Sequence, residues 1–105
     1  MRSPLSIDVI FQTLKGKRLG HVYDEENMLT KLWPIANDRF PLLQYIDPYG
    51  DALFNGAQMN QIIVELRLLI DGDFSDAQKR LLRDVIGLAT ECQGSPHTFL
   101  RFLGD

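Results

Sequence analysis

Two apolar stripes at helical spacing, a few residues apart, constrain this chain more than anything else in it. From Ala57 to Ile70 the apolar positions Met59, Ile62, Ile63, Leu66, Leu69 and Ile70 recur with the period of a helix that buries one face. Asn55 or Gly56 stands where the N-cap of that helix belongs. From Asp76 to Gln93 the second stripe is Ala77, Leu81, Leu82, Val85, Ile86, Leu88, Ala89 and Cys92. Ser75 and Gln78 have the spacing of a capping box, in which each side chain satisfies an amide at the helix start, and Gly94-Ser95-Pro96 supplies the stop. Asp71-Gly72-Asp73-Phe74 between the stripes has room only for a turn, so the two helices are expected to form an antiparallel hairpin. Val64 and Leu68 lie off the first stripe, four residues apart, and can meet either the next helix or a second copy of the chain in a homo-oligomer.

A helical hairpin with one apolar side needs a layer to cover, and the remaining segments read as strands. Leu5, Ile7, Val9 and Phe11 alternate with Ser6, Asp8, Ile10 and Gln12, the period-two pattern of a half-buried strand. Lys15-Gly16-Lys17-Arg18 is the turn of a hairpin, and Leu19 to Tyr23 is the returning strand. Asp24 caps a short helix whose apolar face is Met28, Leu29, Leu32 and Trp33 and which Pro34 ends, because the residue before proline is pushed out of the helical region. Phe40 to Ile46 reads as a short strand between Pro41 and Asp47-Pro48, with Ala52-Leu53-Phe54 as its hairpin partner. His97 to Leu103 alternates Phe99, Arg101 and Leu103 against Thr98, Leu100 and Phe102 and reads as a last strand returning to the sheet. The expected fold is α+β, a small antiparallel or mixed sheet of four to five strands packed against the helical hairpin, in the order ββαββααβ.

At 105 residues the chain is expected to fill one domain, residues 1–105. Hydrophobic residues make up 45% and charged residues 24%, which is enough apolar material for a core and unlike a disordered segment. Fourteen acidic against eleven basic residues leave a net charge of -3, a field that repels a phosphate backbone, so nucleic acid is not an expected partner. Lys15, Lys17 and Arg18 are the nearest thing to a basic patch, and they flank the glycine of a hairpin turn. Cys92 is the single cysteine and suits a reducing compartment, so the cytoplasm is the expected setting. Asp8 would interrupt the apolar region of a signal peptide, and no run approaches the roughly 20 apolar residues of a membrane span.

The segment richest in chemistry is Tyr45-Ile46-Asp47-Pro48-Tyr49-Gly50-Asp51-Ala52-Leu53-Phe54-Asn55-Gly56. Tyr45, Asp47, Tyr49, Asp51 and Asn55 are the candidate binding residues. Asp47, Asp51 and Asn55 bring three side-chain oxygens close in sequence, as a hard cation requires, but their spacing is not that of a calcium loop. Each also has a backbone reason: Asp47 and Asp51 form turns and Asn55 caps a helix. Asp71, Asp73 and Asp76 form a second acidic group that lacks the closing glutamate of a calcium loop. Cys92, His97 and His21 are too few and too far apart for zinc, and Cys92 falls on an apolar helix face where a thiol is inert. No serine occupies a nucleophile elbow and no glycine-rich loop follows a strand. Catalytic residues, a metal and a cofactor are therefore none of them expected.

Tyr45 to Asn55, the pair Gln58-Met59 that opens the leucine-rich helix, and the ending His97-Thr98-Phe99-Leu100-Arg101-Phe102-Leu103-Gly104-Asp105 together resemble a group of small bacterial proteins of unassigned function. The resemblance spans roughly the last two thirds of the chain and implies no activity, cofactor or catalytic residue. In size and acidity the chain is also similar, in a generic way, to immunity proteins that neutralise bacterial toxins. The expectation is a non-enzymatic, cytoplasmic protein-interaction or immunity-like regulatory domain that binds another protein. The alternative is a small-molecule-binding protein or minor enzyme with a pocket at the 45–56 turn.

Overall fold

A computed structural model describes residues 7–24, 28–29, 38–47 and 49–104. Four strands, β1 (Asp8–Thr13), β2 (Arg18–Val22), β3 (Asp51–Asn55) and β4 (Thr98–Leu103), form one antiparallel sheet in the order β2-β1-β4-β3. Two helices, α1 (Met59–Ile70) and α2 (Asp76–Gln93), complete an α+β architecture. The last strand of the chain is therefore an inner one, lying between the first strand and β3. Among the described residues no helix is long and apolar enough to cross a membrane.

Residues directly opposite on antiparallel strands share a face, so the register shows which side the helices cover. Val9 faces Val22 and Phe102, Phe11 faces Gly20 and Leu100, and Ala52 and Phe54 continue those rows onto β3. Val9, Phe11, Leu100, Phe102 and Phe54 are buried and join one hydrophobic cluster with Met59, Ile62, Leu66, Leu82, Val85 and Ala89 from the helices. Phe54 and Phe102 meet edge to face, with ring centroids 5.8 Å apart and planes at 81°. Helix α2 crosses this face so closely that a Cβ on Gly20 would stand 2.9 Å from Leu88 Cδ2, closer than real carbons come. A side chain at position 20 would require the end of the Leu88 side chain to shift.

The helices form where their stripes place them; Ser75 caps α2 as expected, while Asn55 caps a 3-10 turn ahead of α1, whose own N-cap is Gln58. Asn55 Oδ1 accepts from the Gln58 amide at 3.1 Å while Gln58 Oε1 accepts from the Asn55 amide at 2.9 Å; Ser75 and Gln78 repeat the arrangement at α2. Gly56–Gln58 is a 3-10 turn that leads into α1, so the helix proper starts at Met59. On α2, Leu82, Val85, Leu88, Ala89 and Cys92 are buried and Leu81 and Ile86 half-buried, but Ala77 is exposed, one residue inside the helix start. Gly87 lies in the middle of α2, exposed, with no atom within 4 Å of the Cβ it lacks. A mid-helix glycine costs roughly 0.5–1 kcal/mol relative to alanine, so Gly87→Ala is expected to raise the unfolding free energy by about that amount in a urea titration. No gain would mean that the position is not helical in solution.

The expected strand at Phe40 to Ile46 is not a strand. Residues Leu43–Tyr45 form a 3-10 turn, with the amides of Gln44, Tyr45 and Ile46 donating to the carbonyls of Phe40, Leu42 and Leu43. The buried residues are Phe40, Leu43 and Ile46, a period of three that an apolar run without clear alternation conceals. Its supposed partner is instead β3, which pairs with β4. The short helix expected after Asp24 lies mostly outside the described residues. Asp24 itself is buried, and its carboxylate accepts from the amides of Met28 (2.6 Å) and Leu29 (2.8 Å), as a residue opening a turn does.

Candidate functional site

The turn from Tyr45 to Asp51 is anchored at four places. Beneath its start lies Glu65, a carboxylate on the buried side of α1 with no exposed surface. Its Oε1 accepts from the amides of Leu42 (3.0 Å) and Leu43 (2.9 Å), and its Oε2 accepts from Gln61 Nε2 at 2.9 Å. The 3-10 turn thus begins on a fixed negative charge, which favours the free amides at such an end. Asp47 Oδ1 then accepts from the Tyr49 amide at 2.9 Å, while the Gly50 amide donates to the Asp47 carbonyl at 3.1 Å. The Gly104 amide donates to the Gly50 carbonyl at 2.8 Å and ties the turn to the end of β4. Last, Asp51 pairs with Arg101, its diagonal neighbour across the β3–β4 ladder.

The rings this scaffold presents are exposed. Tyr45 is 71% exposed and Tyr49 70% exposed, and Asp47 between them is exposed as well. Asn55 does not belong to this group: it stands at the other end of β3, about 13 Å from Asp51 at roughly 3.3 Å per strand residue, and its side chain is used in the cap of the 3-10 turn ahead of α1. The five candidate residues therefore divide into a knuckle of Tyr45, Asp47 and Tyr49, an ion-paired Asp51 beside it, and a distant structural Asn55. Of the five, only Asn55 lines either of two grooves on the surface. That groove, about 590 Å³, runs between Gly56 and the turn carrying Ser95 and His97. The other, about 540 Å³, lies between β2 and α2.

Val64 is exposed, while Leu68 is half-buried and packed against the core, so the two do not form one open patch. His21 is exposed on β2 and stacks on Tyr23 with centroids 4.2 Å apart. His97 adopts a left-handed backbone (φ 58°) as the chain turns from α2 into β4, and its carbonyl accepts from the Leu14 amide at 3.0 Å. Cys92 is buried under that turn, with Thr98 Oγ1 3.6 Å from its sulfur. Burial pushes its thiol above the ordinary value, and the hydrogen bond from Thr98 opposes this only in part. The unfolded thiol therefore ionises first. Below the ordinary thiol range the group has no effect on stability; above about pH 8.5 the unfolded state gains, and stability falls until the folded thiol also ionises. Urea midpoints of Cys92→Ala should accordingly decline less steeply from pH 8 to pH 10 than those of the native chain. Parallel declines would show that Cys92 does not carry this dependence.

Glu65 is the residue that sequence reasoning missed. The signal was present: Glu65 falls three residues after Ile62 and four before Leu69, on the stripe that must be buried, and a carboxylate there has to find donors. Comparison with protein-family models, with curated proteins and with solved structures gave no match.

Proposed function

We propose that this protein is a non-enzymatic interaction domain, acting in the cytoplasm as an immunity-like inhibitor or regulatory subunit, and that it docks a basic surface of another protein on Tyr45, Asp47 and Tyr49. The observation that carries this reading is the combination of two rings more than two-thirds exposed with a backbone held by Glu65, by Asp47, by Gly104 and by the Asp51–Arg101 pair. Tyrosines on a fixed backbone lose little freedom on binding, and their faces attract guanidinium and ammonium groups. Asp47 adds a carboxylate between them, and the net charge of -3 steers a cationic partner toward the surface. The α1–α2 pair is taken as an antiparallel hairpin on this reading, which its five-residue connection favours.

Two variants test it. Tyr45→Ala with Tyr49→Ala removes both rings, and Asp47→Asn removes the charge while its side-chain oxygen still accepts from the Tyr49 amide. In affinity capture from the source cells, a stoichiometric protein retained by the native chain should be lost with the double variant and weakened about tenfold with Asp47→Asn, a change of about 1.4 kcal/mol. Circular dichroism of both should be native. A partner captured equally by all three would move the interface away from this turn.

A further inference from the structure

The groove between β2 and α2 is independent of the tyrosine turn, because β2 is one edge of the sheet and β3 the other. Its floor is His21, Val22 and Tyr23, and its wall is the part of α2 carrying Arg83, Asp84, Gly87 and Glu91, where two carboxylates outnumber one guanidinium. Every other backbone group along an edge strand points outward, and among the described residues no hydrogen bond reaches the outer side of Arg18–Val22. A groove between an edge strand and a helix is shaped for an extended chain, which can add to the ladder on one side and lay alternate side chains against the helix on the other.

The helix wall shows what such a chain would carry. Asp84, Gly87 and Glu91 recur at i, i+3 and i+7 and so share one face. Gly87 weakens the helix, and no contact among the described residues requires it, since a Cβ there would meet none of them within 4 Å. The gap it leaves lies between two exposed carboxylates, neither of which has an ion-pair partner among the described residues. A long cationic side chain crossing the helix at Gly87 would have a carboxylate one turn to either side. We infer that this groove binds an extended, basic peptide segment as a fifth strand on β2, with a lysine or arginine laid over Gly87 between Asp84 and Glu91.

The probe is a fluorescein-labelled heptapeptide of alternating valine and lysine, with its glutamate counterpart as control, titrated against the full chain by fluorescence anisotropy. The lysine peptide should bind at least about tenfold more tightly than the glutamate peptide and should slow amide exchange within Arg18–Val22. Gly87→Leu should lose about tenfold in affinity while its thermal midpoint holds or rises, since leucine is the better helix former; a loss of binding then cannot be a loss of fold. Asp84→Asn with Glu91→Gln should weaken the lysine peptide and leave the glutamate peptide no worse. Absence of binding, protection of amides elsewhere, or an unchanged Gly87→Leu affinity would each overturn the inference. So would a concentration-dependent dimer, seen by light scattering and lost in Gly87→Leu, which would assign the edge to a second copy. Binding by Tyr45→Ala with Tyr49→Ala should be unaffected, which separates this groove from the tyrosine turn.

Discussion

Phe102→Ala is expected to remove about 3–5 kcal/mol of unfolding free energy, the usual cost of truncating a buried phenylalanine. The ring is 1% exposed, lies on an inner strand opposite both Val9 and Ala52, and meets Phe54 edge to face. Two neighbouring strands and the helices above them hold the surrounding atoms in place, so the space left by the ring cannot readily collapse. A domain of this size holds roughly 5–15 kcal/mol in total, and the substitution therefore takes a large share of it. In urea titrations followed by circular dichroism the midpoint should fall by about 2 M, taking a slope of roughly 2 kcal/mol per molar. Phe102→Leu keeps most of the volume and should cost about a third as much. A loss below about 1 kcal/mol for the alanine variant would show that the β1–β4–β3 face is not the main core.

The second large effect is expected at Glu65. Alanine there leaves the buried Leu43 amide and the half-buried Leu42 amide without their acceptor, and frees the exposed Gln61 side chain to turn to water. At roughly 1–3 kcal/mol for each buried donor left unpaired, partly relieved by movement of the turn, the loss should be about 3 kcal/mol. Glu65→Gln keeps one oxygen for the two backbone amides but turns an NH2 toward the donor on Gln61, so a cost of about 1–2 kcal/mol is expected. Amide exchange distinguishes this loss from a general one. In Glu65→Gln the amides of Leu42 and Leu43 should exchange faster while those of β1 and β4 do not. The same variant should weaken any partner held by Tyr45, because the backbone that carries the ring loses an anchor while the ring itself is untouched. Equal acceleration throughout the sheet would mean that Glu65 supports the whole core rather than the turn.

Elements whose signals are local were legible in the chain. The stripe of α2 and its Ser75–Gln78 capping box involve residues three or four apart, and a helix forms its hydrogen bonds over the same distance, so pattern and structure refer to the same neighbours. The last strand was legible for a similar reason, since alternation survives where one face is buried; the strand at Asp8–Thr13 was legible as a strand, but not as a half-buried one, because Ile10 and Gln12 are buried as well as Val9 and Phe11. Phe40 to Ile46 was misread because a short apolar run does not say whether its period is two or three. What decided it was Glu65, more than twenty residues further on, which offers a carboxylate to two successive amides.

The candidate site divides in the same way. Asp47 as a turn former and Asn55 as a cap are readable from adjacent residues, and the structure keeps both. That Asp51 is matched to Arg101 depends on β4 lying beside β3, and the exposure of Tyr45 and Tyr49 is likewise set by the tertiary structure. By itself the sequence determined where helices cap, which faces are apolar and which segments turn, because those are free energies of near neighbours. Strand order, the buried carboxylate and the groove beside β2 were decided only when distant segments met, because each depends on hydrogen bonds and space that no stretch of chain supplies for itself.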